Sequence, residues 1–389
     1  MSSSVMHWGA VERVHMGVPA GKALLAEAER LGAKRVFLLA GGHLRHETDE
    51  ITKIETALGD RFAATWSGIA AHSPRKDVLA ACAAAREAEA DLIVTVGGGS
   101  VTDAGKVIAL LLRHNVTDLA GFEPLRTYVT EAGRTVQPVF APPDIRVICI
   151  PTTLSGGEFN ALSGVTDEAT LQKQGYQHRL MAPVAVILDP ALTVHTPEWL
   201  WLSTGVRSVD HAVETLASKR SNPFCDGVAA SALRLLAEGL PKSKADPADL
   251  EGRLKCQIGA WQSMIAVVGG VPMGASHAIG HVLGGACDVP HGYTSCVMSP
   301  YVLAWNAEID TSRQGAISEA LGRPGVPAAE ALDTFIRGLG MPRRLRDVGV
   351  REEQFDLVAR LTLEDVWGRT NPRPIATADD VLAILRRAF

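Results

Sequence analysis

Apolar and polar positions follow two alternating patterns along the first half of the chain. Alanine-rich stretches at Ala20–Leu31 and Val78–Ala88 carry apolar residues at helical spacing. Short apolar runs lie between such stretches, at Arg35–Ala40, Leu92–Val96, Val147–Ile150 and Val184–Leu188. Because short apolar runs that alternate with helices are typical of strands buried on both faces, this half of the chain predicts a parallel α/β sheet covered by helices.

After Pro197 the pattern changes, because strand-like runs give way to long amphipathic stretches. These stretches are Thr204–Ala217, Cys225–Glu238, Leu250–Val268, Gly315–Leu321 and Ala329–Leu339. They predict a helical domain, and we place the boundary near residue 190, which gives domains of 1–190 and 191–389. We expect the active site in a cleft between the two halves, where α/β enzymes usually bind ligands. Residues 121–143 carry little periodicity and are expected to form an exposed excursion.

Composition narrows the classes of partner. The 389 residues exceed the roughly 250–300 at which single cores stop growing, so two domains are expected. A net charge of −5 without a lysine or arginine stripe argues against nucleic acid and anionic membranes. No window approaches the ~20 apolar residues of a membrane span, and the first residues do not read as a secretory signal. Six cysteines without a CxxC pair argue against a disulfide framework. We therefore predict a cytoplasmic protein that binds a small molecule.

Two strand ends carry candidate phosphate-binding elements. The strand at 92–96 runs into Gly97-Gly98-Gly99-Ser100 and then a helix, so that bare backbone amides and a helix N-terminus can face a pyrophosphate. The strand at 147–150 runs into Pro151-Thr152-Thr153-Leu154-Ser155, whose hydroxyls can bind phosphate, ribose or the nicotinamide amide. Together they predict a dinucleotide site.

The end of the strand at 35–40 bears on the choice between NAD and NADP. An acidic residue at this place usually accepts the ribose hydroxyls of NAD. The chain instead continues with Gly41-Gly42-His43, so NADP is expected to be tolerated. His43 or Arg45 could meet a 2′-phosphate.

Four histidines indicate a site for metal binding or proton transfer. His277 and His281 are four residues apart and share one helix face, and His291 is expected to return from the following loop. His211 is the fourth. Three such histidines within fifteen residues exceed what a structural role usually needs.

These motifs resemble those of the iron-containing (group III) alcohol dehydrogenase superfamily. The resemblance runs through GGGSxxDxxK at 97–106, PTTxxGGE at 151–158, HxxxH at 277–281, Pro290-His291-Gly292 and the closing Asn371-Pro372-Arg373-Pro374. The short spacing of the second motif is similar to that of maleylacetate reductases. The resemblance implies a dinucleotide-binding parallel-sheet domain followed by an all-helical domain, often assembled as a homodimer.

The implied activity is NAD(P)-dependent hydride transfer between nicotinamide and a small carbonyl, alcohol or oxo-acid substrate. The residues assigned to the dinucleotide are Gly41, Gly97, Gly98, Gly99, Ser100, Asp103, Thr152, Thr153 and Ser155. In the family pattern an aspartate and three histidines bind the metal, and these histidines correspond to His211, His277 and His291. His281 is then the proton-transfer group near the nicotinamide.

The position of the ligand aspartate is occupied by Arg207, one helical turn before His211. A fixed cation repels a dication in a partly buried site, and arginine cannot shed its proton. In one interpretation three neutral histidines and a water still bind iron or zinc. In the other no metal is bound, and Arg207 with His211 and its neighbours binds a substrate carboxylate or the developing oxyanion. We favour the metal-free interpretation, which fits the maleylacetate reductase branch.

Three other functions remain open at this point. A metal-dependent alcohol dehydrogenase would act on neutral alcohols and aldehydes. A dehydroquinate synthase-like lyase would share the fold and the GGGS loop, although its glutamate ligand and basic phosphate-binding residues are not found here. A cofactor-binding protein without catalysis is the third. Net oxidation of NADPH by a carbonyl substrate separates the reductases from the last two.

Overall fold

The computed structural model describes residues 5–130, 135–170, 172–365 and 367–389. These residues form two compact units, one of Gly9–His195 and one of Thr196–Phe389 together with the segment that ends at Trp8. The first unit thus extends a few residues beyond the predicted limit at 190, because Asp189 accepts hydrogen bonds from the amides of both Ala20 and Ala191 and so holds the start of the next helix on this unit. The segment up to Trp8 groups with the helical unit, where the Trp8 ring meets Phe224 edge-on.

Ten strands are present among the described residues of the first unit. They are β1 (Arg13–Met16), β2 (Val36–Ala40), β3 (Phe62–Ser67), β4 (Leu92–Gly97), β5 (Tyr128–Val129), β6 (Thr135–Val136), β7 (Arg146–Pro151), β8 (Leu162–Asp167), β9 (Gln172–Gln177) and β10 (Ala185–Leu188). Six of them form a parallel sheet in the order β1-β10-β7-β4-β2-β3. The pairs β5–β6 and β8–β9 are antiparallel hairpins.

Helices cover the sheet in the first unit and make up the second. Those of the first unit are α1 (Ala20–Leu31), α2 (Gly42–Glu47), α3 (Glu50–Leu58), α4 (Arg75–Glu87), α5 (Gly99–Arg113) and α6 (Pro190–Thr193). Those of the second are α7 (Glu198–Ala217), α8 (Pro223–Ala245), α9 (Leu250–Val268), α10 (Ala275–Cys287), α11 (His291–Ala307), α12 (Gly315–Ala320), α13 (Ala328–Gly338), α14 (Phe355–Thr362) and α15 (Ala378–Ala388). The predicted fold class is confirmed.

The central strands explain why the apolar runs predicted the sheet. β2, β4 and β10 are buried along their whole length, so both faces need apolar side chains. Phe37 and Leu39 point into one core cluster, and Leu38 points into the other. The terminal strands β1 and β3 were not predicted, because their residues are exposed or only half-buried and need no apolar run.

The stretch 121–143 is less exposed than expected. Phe122 and Leu125 are buried, and the Phe122 ring packs edge-on against Tyr176 in β9. Residues 131–134 of this stretch lie outside the described residues. Within the part of the chain that the structure describes, no helix combines the length and the hydropathy that a membrane span needs. The six cysteines are all free thiols, and all but Cys287 are buried.

Candidate active site

The residues predicted to bind a dinucleotide come from three neighbouring strand ends. Gly41 follows β2, Gly97 ends β4, and Thr152 follows β7, and these strands are adjacent in the sheet. The amide of Gly41 donates to the carbonyl of Val96 at 2.8 Å, and the amide of Thr152 donates to the carbonyl of Gly97 at 2.9 Å. The structure therefore brings the two motifs together at one edge of the sheet.

Space is tight where the two motifs meet. A Cβ atom at Gly98 would lie 3.1 Å from Cγ2 of Thr153, and one at Gly99 would lie 3.1 Å from Oγ of Ser155. α5 begins at Gly99, so no side chain covers the backbone amides of Gly98 and Gly99. These amides lie beside the hydroxyl-bearing residues Thr153 and Ser155. Such a cradle of amides and hydroxyls at a helix N-terminus fits a pyrophosphate.

Ser100 and Asp103 lie on the first turns of α5. Ser100 Oγ accepts a hydrogen bond from the amide of His72 at 3.0 Å. The Asp103 carboxylate is paired with Lys106 at 3.6 Å and Lys173 at 3.3 Å. Asp103 is therefore held by two lysines, an arrangement the sequence did not reveal.

Lys106 links α5 to the end of the second motif and to the start of β8. Its side chain is fully buried, and Nζ donates to the carbonyls of Gly157 and Leu162 at 2.8 and 2.6 Å. The lysine of the GGGSxxDxxK motif thus fixes the backbone just after Ser155.

Arg45 is engaged in an ion pair. Its guanidinium lies 2.7 Å from Glu55, which also accepts a hydrogen bond from Thr65. The suggestion that Arg45 meets a 2′-phosphate is therefore weakened, since its charge is already neutralised within the unit. His43 is exposed at the start of α2.

The histidine cluster lies on α7, α10 and α11 of the second unit. The rings of His211 and His277 stack at 4.8 Å, and those of His281 and His291 at 5.7 Å. His291 is the first residue of α11 and not, as had been expected, part of a loop. Pro290, in an extended conformation, is the residue that precedes this helix. All four predicted histidines therefore fall into two stacked pairs.

Two of these rings are buried and uncharged. Burial lowers the pKa of His211 and of His277 well below the usual value, and the positive charge of Arg207 acts in the same direction. Nδ1 of His277 is 2.8 Å from a Glu214 oxygen, so it carries the proton and Nε2 is left as an acceptor. Among the described residues neither His277 Nε2 nor His211 Nδ1 has a hydrogen-bond partner.

A carboxylate pair supports His277 from α7. Glu214 accepts from the amides of Gly274 and Ser276 as well as from His277, and burial raises its pKa to about 7. Asp210 accepts from Ser276 Oγ at 2.7 Å and from Ser299 Oγ at 2.5 Å. One ligand atom from each of Asp210, Glu214 and His277 lies within 4.8 Å of the others, so that by distance alone they could hold a metal ion.

Arg207 lies in the same unit, and only 6% of it is exposed. Its guanidinium donates to Ser295 Oγ at 3.1 Å and to His291 Nε2 at 3.3 Å. Burial lowers its pKa and the negative charges of Asp210 and Glu214 oppose this, yet a guanidinium keeps its proton in proteins. Within the described part of the chain it forms no ion pair with a carboxylate.

The sequence did not single out the partners of His281. Nδ1 of His281 is 2.9 Å from Oδ2 of Asp365, and the indole of Trp367 lies 4.8 Å from the His281 ring. Asp365 precedes the closing Asn371-Pro372-Arg373 motif by six residues, and that proximity is the one signal that could have pointed to it.

Comparison with known families covers both units. The profile described as iron-containing alcohol dehydrogenase matches residues 12–190, and the profile of the C-terminal part of that family matches residues 201–389. The chain belongs to the iron-containing alcohol dehydrogenase family. It is therefore an oxidoreductase, as the motifs predicted.

Known relatives match over at least nine-tenths of the chain. Maleylacetate reductase 2 of Cupriavidus pinatubonensis is 31% identical, covering 100% of this chain and 97% of that protein. Dehydrogenase ALT3 of Alternaria alternata is 34% identical, covering 92% and 99%. The crystal structure of maleylacetate reductase from Agrobacterium tumefaciens aligns with a TM-score of 0.83 at 28% identity, covering 100% and 99%. The resemblance to the maleylacetate reductase branch is thereby confirmed.

Proposed function

We propose that the chain is an NAD(P)H-dependent reductase of a small oxo-acid, and that Arg207 binds the substrate carboxylate. The observation that carries the proposal is a buried guanidinium without a carboxylate partner among the described residues. A buried charge is costly unless an opposite charge accompanies it, and a planar guanidinium suits a carboxylate. Asp210 and Glu214 act on Arg207 through their charge without a hydrogen bond to it, and an acidic substrate would supply the hydrogen-bonded carboxylate. The maleylacetate reductases among the relatives bear names that refer to such an acid.

The residues present do not fit a resident metal. The lone pair of His291 Nε2 accepts from Arg207, and the guanidinium places a positive charge beside the remaining histidines. All four carboxylate oxygens of Asp210 and Glu214 accept hydrogen bonds from Ser276, Ser299, Gly274 and His277. What remains is too few donors for the three or four protein ligands that zinc and iron sites use. We therefore place no metal in the reaction.

The chemistry then falls to the side chains. Bound NAD(P)H would supply the hydride for the substrate carbonyl carbon, which leaves the carbonyl oxygen in need of a proton. Arg207 holds the carboxylate, and His211 stands one turn further along α7 as a neutral imidazole able to hydrogen-bond the substrate. His281 gives a proton to that oxygen and recovers one from the solvent. We assign the cofactor to the cradle formed by Gly97–Ser100 and Thr152–Ser155.

A valine at Gly98 tests the cofactor assignment. Its side chain would start 3.1 Å from Thr153 Cγ2 and would lie where the phosphates must approach, so we expect Kd for NADH and NADPH to rise at least about tenfold. Fluorescence titration measures both. Gly227→Val is the control, since a Cβ at Gly227 meets nothing within 4 Å. Unchanged binding in Gly98→Val would mean that the cradle is assigned wrongly.

A cofactor-oxidation screen tests the proposed activity. The parent is expected to oxidise NADH or NADPH with oxo-acids and conjugated oxo-acids, and to do so with higher kcat/KM than with neutral aldehydes of the same length. Net oxidation also excludes a lyase that uses the cofactor only transiently. Higher kcat/KM with neutral aldehydes would favour the alcohol dehydrogenase alternative. A homodimer stays a prediction of the family resemblance, and a cytoplasmic location stays a prediction from the composition and the first residues of the chain.

A further inference from the structure

We infer that Asp365 is a positioning residue for the reduction, which holds His281 so that Nε2 is the nitrogen that delivers the proton. The inference rests on the proposed function, because it takes His281 as the proton donor. It starts from the 2.9 Å contact between Asp365 Oδ2 and His281 Nδ1, which joins residues 84 positions apart.

The Asp365 carboxylate is itself fixed. Oδ2 accepts from His281, and Oδ1 accepts from the amide of Trp367 at 2.8 Å. Only 18% of the Asp365 side chain is exposed, against 36% of the His281 side chain. Burial acts to raise the pKa of Asp365, but the hydrogen bond and the charge of His281 outweigh it, so this pKa is lowered and the carboxylate stays ionised.

Trp367 limits the movement of the His281 ring. Its indole lies 4.8 Å from the His281 centroid and 5.8 Å from the His277 centroid, so it packs against both imidazoles. Asp365 and Trp367 therefore give His281 an anion at Nδ1 and an aromatic neighbour at its ring. A general acid is efficient when a second group fixes its orientation in this way.

This arrangement determines which proton moves. The Asp365 carboxylate accepts a hydrogen bond from Nδ1–H, so Nδ1 keeps its proton and the proton available for transfer is on Nε2. When His281 carries both protons, Asp365 balances the charge. Transfer from Nε2 breaks one N–H bond, forms the O–H bond of the product alcohol and leaves a neutral imidazole still bonded to Asp365. A proton taken up from the solvent then restores the Nε2 proton, so that each reduction consumes one proton.

The alternative is an ion pair that serves stability alone. In that case loss of the carboxylate would lower the melting temperature and leave turnover of the folded enzyme unchanged. Positioning predicts the opposite pattern, since a misplaced acid slows proton transfer and not binding.

Asp365→Asn separates the positioning role from a purely stabilising one. Asparagine is isosteric with aspartate, and its oxygen can still accept a hydrogen bond from the Trp367 amide. We expect kcat to fall at least about 100-fold, the lower end of what a positioned general acid contributes, with KM for the carbonyl substrate and Kd for NADPH within about threefold. Glu364→Gln is the matched control, since Glu364 is the exposed neighbour of Asp365 and should leave all three values unchanged. Asp365→Ser is measured alongside and should show the same lower kcat with nearly unchanged KM and Kd.

A double-mutant cycle with His281→Ala completes the test. Because Asp365 is argued to act through His281, Asp365→Asn should cost less than about twofold in kcat once His281 is absent. The cycle is run on whichever carbonyl compound the parent reduces, so a parent inactive on oxo-acids would overturn the proposed substrate and not this inference. Unchanged kcat in folded Asp365→Asn, or losses that simply add in the double variant, would overturn the positioning role.

Discussion

Arg207→Ala is expected to lower kcat/KM for an oxo-acid about 100-fold, while kcat/KM for a neutral aldehyde of equal length changes less than about threefold. A charge-assisted hydrogen bond contributes about 1.5–3 kcal/mol, and a 100-fold loss corresponds to about 2.7 kcal/mol. The loss should fall mainly on KM, since the carboxylate is bound equally in the ground state and the transition state.

Controls separate charge, geometry and packing in this experiment. Arg207→Lys keeps the charge without the planar fork and should recover only part of the selectivity. Arg253→Ala removes another buried guanidinium of the same unit, one that lies 4.7 Å from the Trp201 ring, and should affect stability without changing the ratio of the two substrates. Equal losses on both substrates in Arg207→Ala would mean that Arg207 stabilises the oxyanion or merely shapes the site.

Arg207→Asp is expected to create a metal site. The aspartate removes the buried cation, releases the His291 lone pair and supplies an anionic oxygen one turn from His211. The new aspartate, His211, His277 and His291 then make four ligands. We therefore expect about one Zn²⁺ per chain by equilibrium dialysis, against far less than one in the parent. Selectivity should move toward neutral alcohols and aldehydes.

Two further variants control the gain of metal. Arg207→Asn has the same size but no charge and should bind Zn²⁺ much more weakly. Adding His277→Ala to Arg207→Asp should abolish the new binding. A parent that binds Zn²⁺ as tightly as Arg207→Asp does would show that the arginine does not oppose metal.

The sequence predicted the parts of the fold that are decided locally. α1 begins and ends where its periodicity placed it, and β2, β4, β7 and β10 appear where apolar runs reflect burial on both faces. The hairpin β8–β9 was missed because its residues are largely polar and half-exposed, so that no two-residue alternation marks it.

The site was predicted in its residues but not in its contacts. The spacing of His277 and His281 gives a shared helix face, yet it does not show that one is held by Glu214 and the other by Asp365. Likewise the sequence leaves Arg45 available for a phosphate, whereas in the fold its charge is paired with Glu55. These partners lie between 10 and 84 positions away, where only tertiary packing decides which side chains meet.

The most direct test of the central claim is kcat/KM for an oxo-acid before and after exhaustive dialysis of the parent against EDTA, with the metal content of both samples measured. Reduction without a metal predicts that activity is retained while bound iron and zinc stay far below one per chain. Loss of activity on dialysis, restored by Zn²⁺ or Fe²⁺, would contradict the account.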